Sequence, residues 1–533
     1  MVTCYVMLRT PRVLMRRPIL RPPLSTSLRI RRGLQSQSND KEPPSLPPSQ
    51  DGNYSSISIQ DQLSRSAAFA SDFFWRFAKF SLLGIFAIGA TGLTAFEGAH
   101  FWVENVELLP DTDPETRRWE WNRDAERWSG GDEYGTDPVL GFKGRHAVRA
   151  AWMVENWGVG SQTGTVRPTA PTSHGLQGSG GLNIVDARLG YAELFLSRAL
   201  EAAEDVMPPG KLHPQTLLEL TTRRASVLER MGTRDALFDA RSDYEDVWFG
   251  LSNKGPEACR TALKLGDLNF RLGDYGDAIE WWARTISMTQ GSRQAEGTAP
   301  PIISQSIPSS PSAQRTLASA LVSLSAYYST SHKLKEALET QHTALSLLRS
   351  IPAPTSITSP PHLLHVLYLL HRSSLVSIHL AEVLYATRSP HGSSLKHLAK
   401  AAESAEHIVL SLSGRVLQTT RQGAQIPYAE TSLIQAFTKF TAMRKPARAL
   451  LRDARRTAAE AWNLMGILNE KDSMTKALDC YERALAWAGV PSDGAESSRR
   501  PGEGIPEAEW KALWGNYVRA REEVRSQGRA IPP

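Results

Sequence analysis

From about residue 182 to the C-terminus, apolar residues recur three and four positions apart, with almost no strand-like alternation. That period places one apolar stripe on each of a series of amphipathic helices. Breaks in the stripe predict helical hairpins at 258–288, turning at Gly273-Asp274, at 318–350, and at 458–488, turning at Asn469–Asp472. Weaker hairpins are expected at 216–250, turning at Gly232, and at 364–410, turning at Pro390-His391-Gly392. The last pattern, Glu507 to Val524, puts Trp510, Leu513, Trp514, Tyr517 and Val518 on one face, as in a solvated helix that caps an array. Pro/Ser-rich stretches at 294–313 and 350–361 fall between hairpins and read as surface loops.

A different pattern lies upstream. The run Phe80–Phe96 carries no charge and is bounded by Lys79 and Glu97. It spans roughly 25 Å as a helix, close to the ~30 Å hydrocarbon core of a bilayer, and Lys79 can snorkel to lengthen it. Phe73, Phe74, Trp75 and Phe77 before it, with Phe101 and Trp102 after it, resemble interfacial belts. Ala87, Thr91 and Ala95 offer a small-residue face for helix contact. One membrane span over 73–103 is the expectation. Arg65, Arg76 and Lys79 precede it, whereas Glu97, Glu104, Glu107, Asp111 and Asp113 follow it. The excess of positive charge before the span assigns the N-terminus to the matrix and the array to the other side.

Charge explains the first residues. Residues 1–39 hold eight arginines and no acid, and without them the formal charge of +6 becomes −2. The basicity is therefore an address, not a nucleic-acid footprint. An Arg- and Ser-containing, acid-free start is a mitochondrial presequence pattern, and Arg32-Gly33-Leu34-Gln35 resembles a processing site. The expected order is a presequence (1–34), a disordered linker (35–72), the span (73–103), a Trp-rich juxtamembrane segment (104–181), the helical array (182–524) and a tail (525–533). Residues 100–160, which overlap the juxtamembrane segment, hold six of the fourteen tryptophans. Short helices are expected in it at 115–128, starting at Asp113-Pro114, and at 141–157.

Self-similarity at about 34 residues defines the array. The unit 258–288 carries Leu265-Gly266, Gly273-Asp274-Tyr275, Ala278-Ile279 and Trp281-Trp282. Leu324, Tyr328, Ala337-Leu338 and Ala344-Leu345 repeat the pattern, as do Trp462, Gly466, Ala477-Leu478, Tyr481 and Ala484-Leu485. These residues resemble the tetratricopeptide (TPR) family, in which small residues sit where the two helices of a hairpin cross. Thr285 stands where alanine is usual, and the turn at 469–472 is one residue short. The fold class expected is all-α, a TPR-type helical-hairpin solenoid with one N-terminal transmembrane helix.

The resemblance implies a protein-binding groove lined by the first helix of each hairpin. Leu263, Asp267, Val322, Ala326, Asn463 and Ile467 hold the inner positions, so the Lys/Asn clamp that grips a C-terminal carboxylate in chaperone-binding members is missing. Arg260, Asp267 and Arg271 are candidate groove residues. Trp119, Trp121 and Trp152 are candidates for partner contact because Trp and Arg dominate interface hot spots. Presequence, single span, acidic Trp-rich neck and TPR array together resemble the fungal adaptor subunits of the mitochondrial i-AAA protease. That resemblance implies an inner-membrane scaffold that recruits unfolded client proteins to the protease in the intermembrane space. Alternatives are an assembly factor for a respiratory-chain complex and an outer-membrane import receptor.

No His-Glu-x-x-His, Cys-x-x-Cys, Gly-x-Ser-x-Gly or Walker loop occurs in the sequence. Gly178–Gly181 lacks the Lys-Ser/Thr of a phosphate loop, and His362 and His365 stand beside a Pro-rich stretch that suits no metal. Cys259 and Cys480 read as buried thiols. His146, with Arg145 and Arg149, reads as a solvated face or an anion contact. No catalytic residue, cofactor, metal, nucleic acid or small-molecule substrate is expected, and the chain is read as a non-enzyme.

Overall fold

The computed structural model describes residues 59–131, 133–158, 165–167, 183–206, 211–291, 303–351, 359–414, 419–420, 423–424, 432–489 and 505–529. The presequence, the first part of the linker, Gly178–Gly181 and parts of the stretches 294–313 and 350–361 lie outside them. The chain divides into two units, residues 5–97 and a larger unit from Gly98 onward.

In the first unit, helix α1 (Ile59–Trp102) begins within the segment expected to be a linker. The early start follows from composition: Ile59 to Phe74 contains no Pro or Gly to stop a helix. Its apolar residues face outward, with Leu82, Ile85, Phe86 and Ile88 each at least 70% exposed or close to it. An apolar helix without protein cover is what a lipid-facing segment requires.

The larger unit is helical apart from two short antiparallel ladders. After a π-helical turn, Val103–Glu107, come the short α2 (Pro114–Arg118) and α3 (Trp121–Asp124) and then α4 (Gly141–Trp157). Strands β1 (Thr165–Arg167) and β2 (Asn183–Val185) pair, with Val166 opposite Ile184. The array continues through α5 (Ala187–Glu204), α6 (Thr216–Met231), α7 (Arg234–Gly250), α8 (Pro256–Leu272) and α9 (Tyr275–Gln290). Next come α10 (Pro311–Thr330), α11 (Leu334–Ser350), α12 (Pro360–Ala386) and α13 (His391–Ser413). The second ladder, β3 (Thr419–Thr420) with β4 (Gly423–Ala424), precedes α14 (Gln435–Thr438), α15 (Thr441–Asn469), α16 (Met474–Trp487) and α17 (Glu507–Arg529).

Local signals set these boundaries. Asp113, Thr233, Ser310 and Ser473 cap helix N-termini with their side chains, and Pro114 and Pro311 occupy first-turn positions where a missing N–H costs nothing. Gly273 closes α8 in the left-handed region at φ +97°, and the amides of Gly273 and Asp274 return to the Asn269 carbonyl. Each helix packs on the next from α4 to α13, and α13, α15, α16 and α17 continue the series. In addition α8 packs on α10, α10 on α12 and α12 on α15, so the first helices of successive hairpins form one row.

Three boundaries depart from expectation. The array starts at α4, which pairs with α5, and not at residue 182. The first helix of the last hairpin starts at Thr441 and runs through Pro446, which lies early enough in it to be tolerated. Helix α12 starts at Pro360, so His362 and His365 stand on a helix and not beside a loop. That helix is also long and apolar enough to cross a membrane, but 56% of its most apolar window is buried inside the array. Its apolarity belongs to a helix covered on several sides by α10, α11, α13 and α15.

The hairpin crossings explain the small residues. A Cβ on Gly266 would lie 2.5 Å from Cδ1 of Trp282, and one on Gly466 would lie 2.5 Å from Cε1 of Tyr481. Each aromatic ring occupies the space a side chain would fill, and both rings are almost wholly buried.

Candidate protein-binding groove

The row of first helices is occupied by the chain's own neck, residues 107–137. Asp113 starts α2 by accepting a hydrogen bond from the Thr116 amide at 2.8 Å. The helix expected to continue to residue 128 breaks at Glu120, which takes φ +54°. That left-handed residue separates α2 from α3, and the tryptophans on either side of it both reach the array.

Trp121 is 2% exposed, and its indole N–H donates to the Pro361 carbonyl at 2.9 Å. The Arg315 guanidinium lies 3.9 Å from its ring centroid. Trp119 stacks on His362 with centroids 4.2 Å apart and planes 8° from parallel. Arg315, on α10, joins several of these contacts. It donates from Nε to Asp124 at 2.5 Å and to the carbonyls of Trp119 and Glu120 at 3.1 Å each. His365 Nδ1 lies 3.1 Å from Arg315 Nη1, and His365 Nε2 lies 3.0 Å from Gln314. Burial and the Arg315 charge beside it push His365 down to about 3, so it is a neutral spacer.

Midway along the neck, Glu120, Asp124 and Glu126 meet the array, as Glu107, Glu115 and Asp137 do toward its ends. Glu120 accepts from the Ser310 hydroxyl and from the Ser312 amide at 3.0 Å. Asp124 accepts from Ser312 Oγ at 2.8 Å, from Arg315, and from Arg260 at 3.4 Å. Glu126 lies 2.9 Å from Arg223 and 2.5 Å from Lys445. Burial alone would raise Glu126, but Arg223 and Lys445 outweigh it and hold the carboxyl at about 2. In the other direction, Arg127 reaches Glu219 and Glu257, each at 3.7 Å. Ser129 and Gly131 donate their amides to Glu219 at 3.0 and 3.3 Å. Burial nevertheless raises Glu219 above the usual carboxylate range.

A cavity of about 430 Å³ remains between neck and array. Trp121 and Glu126 border it from the neck, and Arg223, Leu218, Lys264 and Tyr368 from the helices. A larger cleft of about 1000 Å³ lies on the neck's other side, against Trp157, Arg444 and Arg448.

The expected site residues are thereby distributed. Arg260 is on the groove and touches the neck. Asp267 is a structural hub that accepts from Trp282 Nε1 at 3.0 Å and Ser323 Oγ at 2.8 Å, joining three helices. Arg271 turns to the neighbouring first helix, 3.7 Å from Glu229. Trp119 and Trp121 anchor the neck; as docked, Trp121 offers no open surface to a partner and Trp119 is half-buried. Trp152 is 8% exposed, in the core that α4 shares with α5 and α6. Arg145 and Arg149 do meet an anion, but it is Glu104 of the same chain, at 3.1 and 3.3 Å. Sequence reading passed over Arg315, Arg223, Lys445 and Glu126. Their only early signal was the alternation of Trp with Glu and Asp in 119–126, opposite an array whose first helices carry arginines.

Among the described residues, no three His, Cys, Asp or Glu side chains converge as metal ligands. Cys259 and Cys480 are free and buried, and burial raises both thiols to about 11. No protein-family model matches this sequence, and no curated protein is significantly similar to it.

Proposed function

We propose that this chain is a membrane-anchored, non-enzymatic protein-binding scaffold built on TPR-type hairpins. It resides in the mitochondrial inner membrane with its array in the intermembrane space, and recruits unfolded membrane-protein clients to the i-AAA protease. The observation that carries the binding reading is the neck itself. The row of first helices holds a Trp-bearing acidic segment through groups on α6, α8, α10, α12 and α15, which is the work a peptide-binding solenoid does. The Gly266–Trp282 and Gly466–Tyr481 crossings support the TPR assignment, because the small residue of the repeat stands where the hairpin closes. The exposed apolar surface of α1 supports the anchor, and the acid-free arginine-rich start supports the address. Anchoring raises the effective concentration of a weakly held client near a membrane-bound protease.

Protease accessibility of a C-terminal tag tests the placement. Protection in intact mitochondria and digestion after rupture of the outer membrane is the expected result. Digestion in intact organelles would favour an outer-membrane receptor, and protection in both would invert the topology. Recovery of the protease with the tagged chain then supports the adaptor, whereas recovery of a respiratory-chain subunit alone would replace it with an assembly factor.

A further inference from the structure

The neck fits its groove imperfectly, in three independent ways. The cavity of about 430 Å³ beside Trp121 lies within the range of ligand pockets, and the neck leaves it unfilled. Two buried atoms at this contact, Arg223 Nε and Glu219 Oε1, make no hydrogen bond. Such atoms are costly unless something supplies the missing partner. Finally, Glu120 at φ +54° and Ser129 at φ +90° lie within the docked stretch, and both are non-glycine residues in the left-handed half of backbone space. Strain of this kind persists only while the surroundings enforce it, and release of the segment relieves it.

The contacts also specify what the groove recognises. Ser310, Ser312, Arg260, Arg315, Arg223 and Lys445 all take carboxylates from the neck. Pro361 and the Arg315 face take an indole. Several of the cations stay reachable from solvent, with the Lys445 side chain 51% exposed and that of Arg260 31% exposed.

We infer that the neck is a displaceable resident of the groove, and that the partner it holds off is an acidic peptide segment carrying a tryptophan three to five residues before its carboxylates. This inference rests on the scaffold reading and names the partner chemistry of that site. A tethered resident competes at high effective concentration. An incoming segment must therefore bind better, which it can do by filling the cavity, hydrogen-bonding Arg223 Nε and adopting unstrained backbone.

The test uses the full chain in detergent or nanodiscs and a fluorescent peptide with the sequence of residues 114–128. Its control is the same peptide with its acids replaced by lysine. Asp124→Ala with Glu126→Ala weakens the resident and leaves every groove cation in place. The double variant is expected to bind the neck peptide at least tenfold more tightly than the unaltered chain and to ignore the control. Adding Arg223→Glu and Arg260→Glu should abolish that binding. A double variant that melts like the unaltered chain yet binds no peptide overturns the inference. So does peptide-free, concentration-dependent pairing of chains through exchanged necks.

If the double variant fails to fold, hydrogen exchange on the unaltered chain decides. Amides of 117–125 must exchange at least a hundredfold faster than those of 317–328 in α10, and equal protection overturns the inference. Neither readout depends on where the array resides. A chain that passes the tag-accessibility and protease-recovery tests but fails here remains a scaffold with a permanently bound neck.

Discussion

Substituting alanine at glycine has opposite expected signs at two helical positions of this chain, and the difference follows from geometry. In a helix interior, Gly→Ala stabilises by about 1 kcal/mol through backbone entropy and propensity. At Gly515, an exposed residue in the middle of α17, nothing lies within 4 Å of the added methyl, so that gain is expected in full. At Gly266 the methyl would stand 2.5 Å from Cδ1, 2.6 Å from Nε1 and 3.1 Å from Cγ of Trp282. The ring has no room to retreat. It is 0% exposed, and its N–H is held by Asp267, which also holds Ser323.

Overpacking of this kind costs about 1–3 kcal/mol, and pulling the indole away from a buried carboxylate adds roughly 1–3 kcal/mol. Against the gain of about 1 kcal/mol, the net effect of Gly266→Ala is a loss of roughly 1–5 kcal/mol. Tryptophan fluorescence during urea unfolding of the detergent-solubilised chain reads both signs, with Gly266→Ala lowering the midpoint and Gly515→Ala raising it. A Gly266→Ala midpoint equal to or above that of the unaltered chain would refute the hairpin-crossing argument.

Other sites give further expectations. Glu406, 4% exposed on α13, accepts from Trp462 at 2.7 Å, Trp487 at 2.8 Å and Arg483 at 2.7–2.9 Å. Glu406→Ala leaves the guanidinium and both indoles without their acceptor, so a loss of about 3–5 kcal/mol is expected, checked by urea midpoint. Trp121→Ala removes the neck's anchor and should cost about 3–5 kcal/mol and expose residues 114–128 to limited proteolysis; unchanged cleavage would contradict the docking. Cys259 and Cys480 should react with a thiol reagent at pH 8 only on unfolding, since burial raises both thiols to about 11. Burial lowers His365 and His371 to about 3 and His379 to about 4 from an unfolded value of 6.5. Their contribution is therefore complete above pH 6.5 and lost as pH falls toward 4, by up to about 1.4 kcal/mol per pH unit for each, which urea midpoints at pH 7.5, 6.5 and 5.5 would reveal. Glu382 has the opposite sign: burial and then Glu460 raise it to about 8 from 4.5. Glu382→Gln should thus stabilise the chain at pH 8 and change little at pH 4.5.

What the sequence disclosed is what local physics controls. Gly232 and Gly273 act on neighbours within four residues, so the hairpin turns at both were legible. Gly266 and Gly466 were legible as the small residues of the repeat pattern, and each meets an aromatic ring of its own hairpin. The fate of the neck was not legible. Trp121 finds Pro361 across 240 residues of chain, and Asp124 finds Arg315 across 191. Periodicity within one helix carries no information about which distant helix will face it. The same limit misplaced the start of the array, since α4 differs from a free juxtamembrane helix only through its packing on α5. Charge pattern came nearest: acids in 119–126 and cations at Arg223, Arg260 and Arg315 are complementary, but complementarity alone fixes no register.

Occupation of the groove also limits where a client can sit. With the neck in place, Arg315 is 3% exposed at its side chain, and Trp121 fills the contact with α12. A client that needs the first-helix row must therefore remove the neck or use the part of the row the neck leaves open. The two routes respond differently to salt. Neck release breaks the pairs Asp124–Arg315, Glu126–Arg223 and Glu126–Lys445 and remakes equivalent pairs with an acidic client, so its dependence on ionic strength largely cancels. Binding beside an undisturbed neck forms new surface pairs without breaking any and weakens steadily as salt rises. Client affinity measured between 50 and 300 mM salt separates the two, and a steep decline would place the client outside the neck's groove.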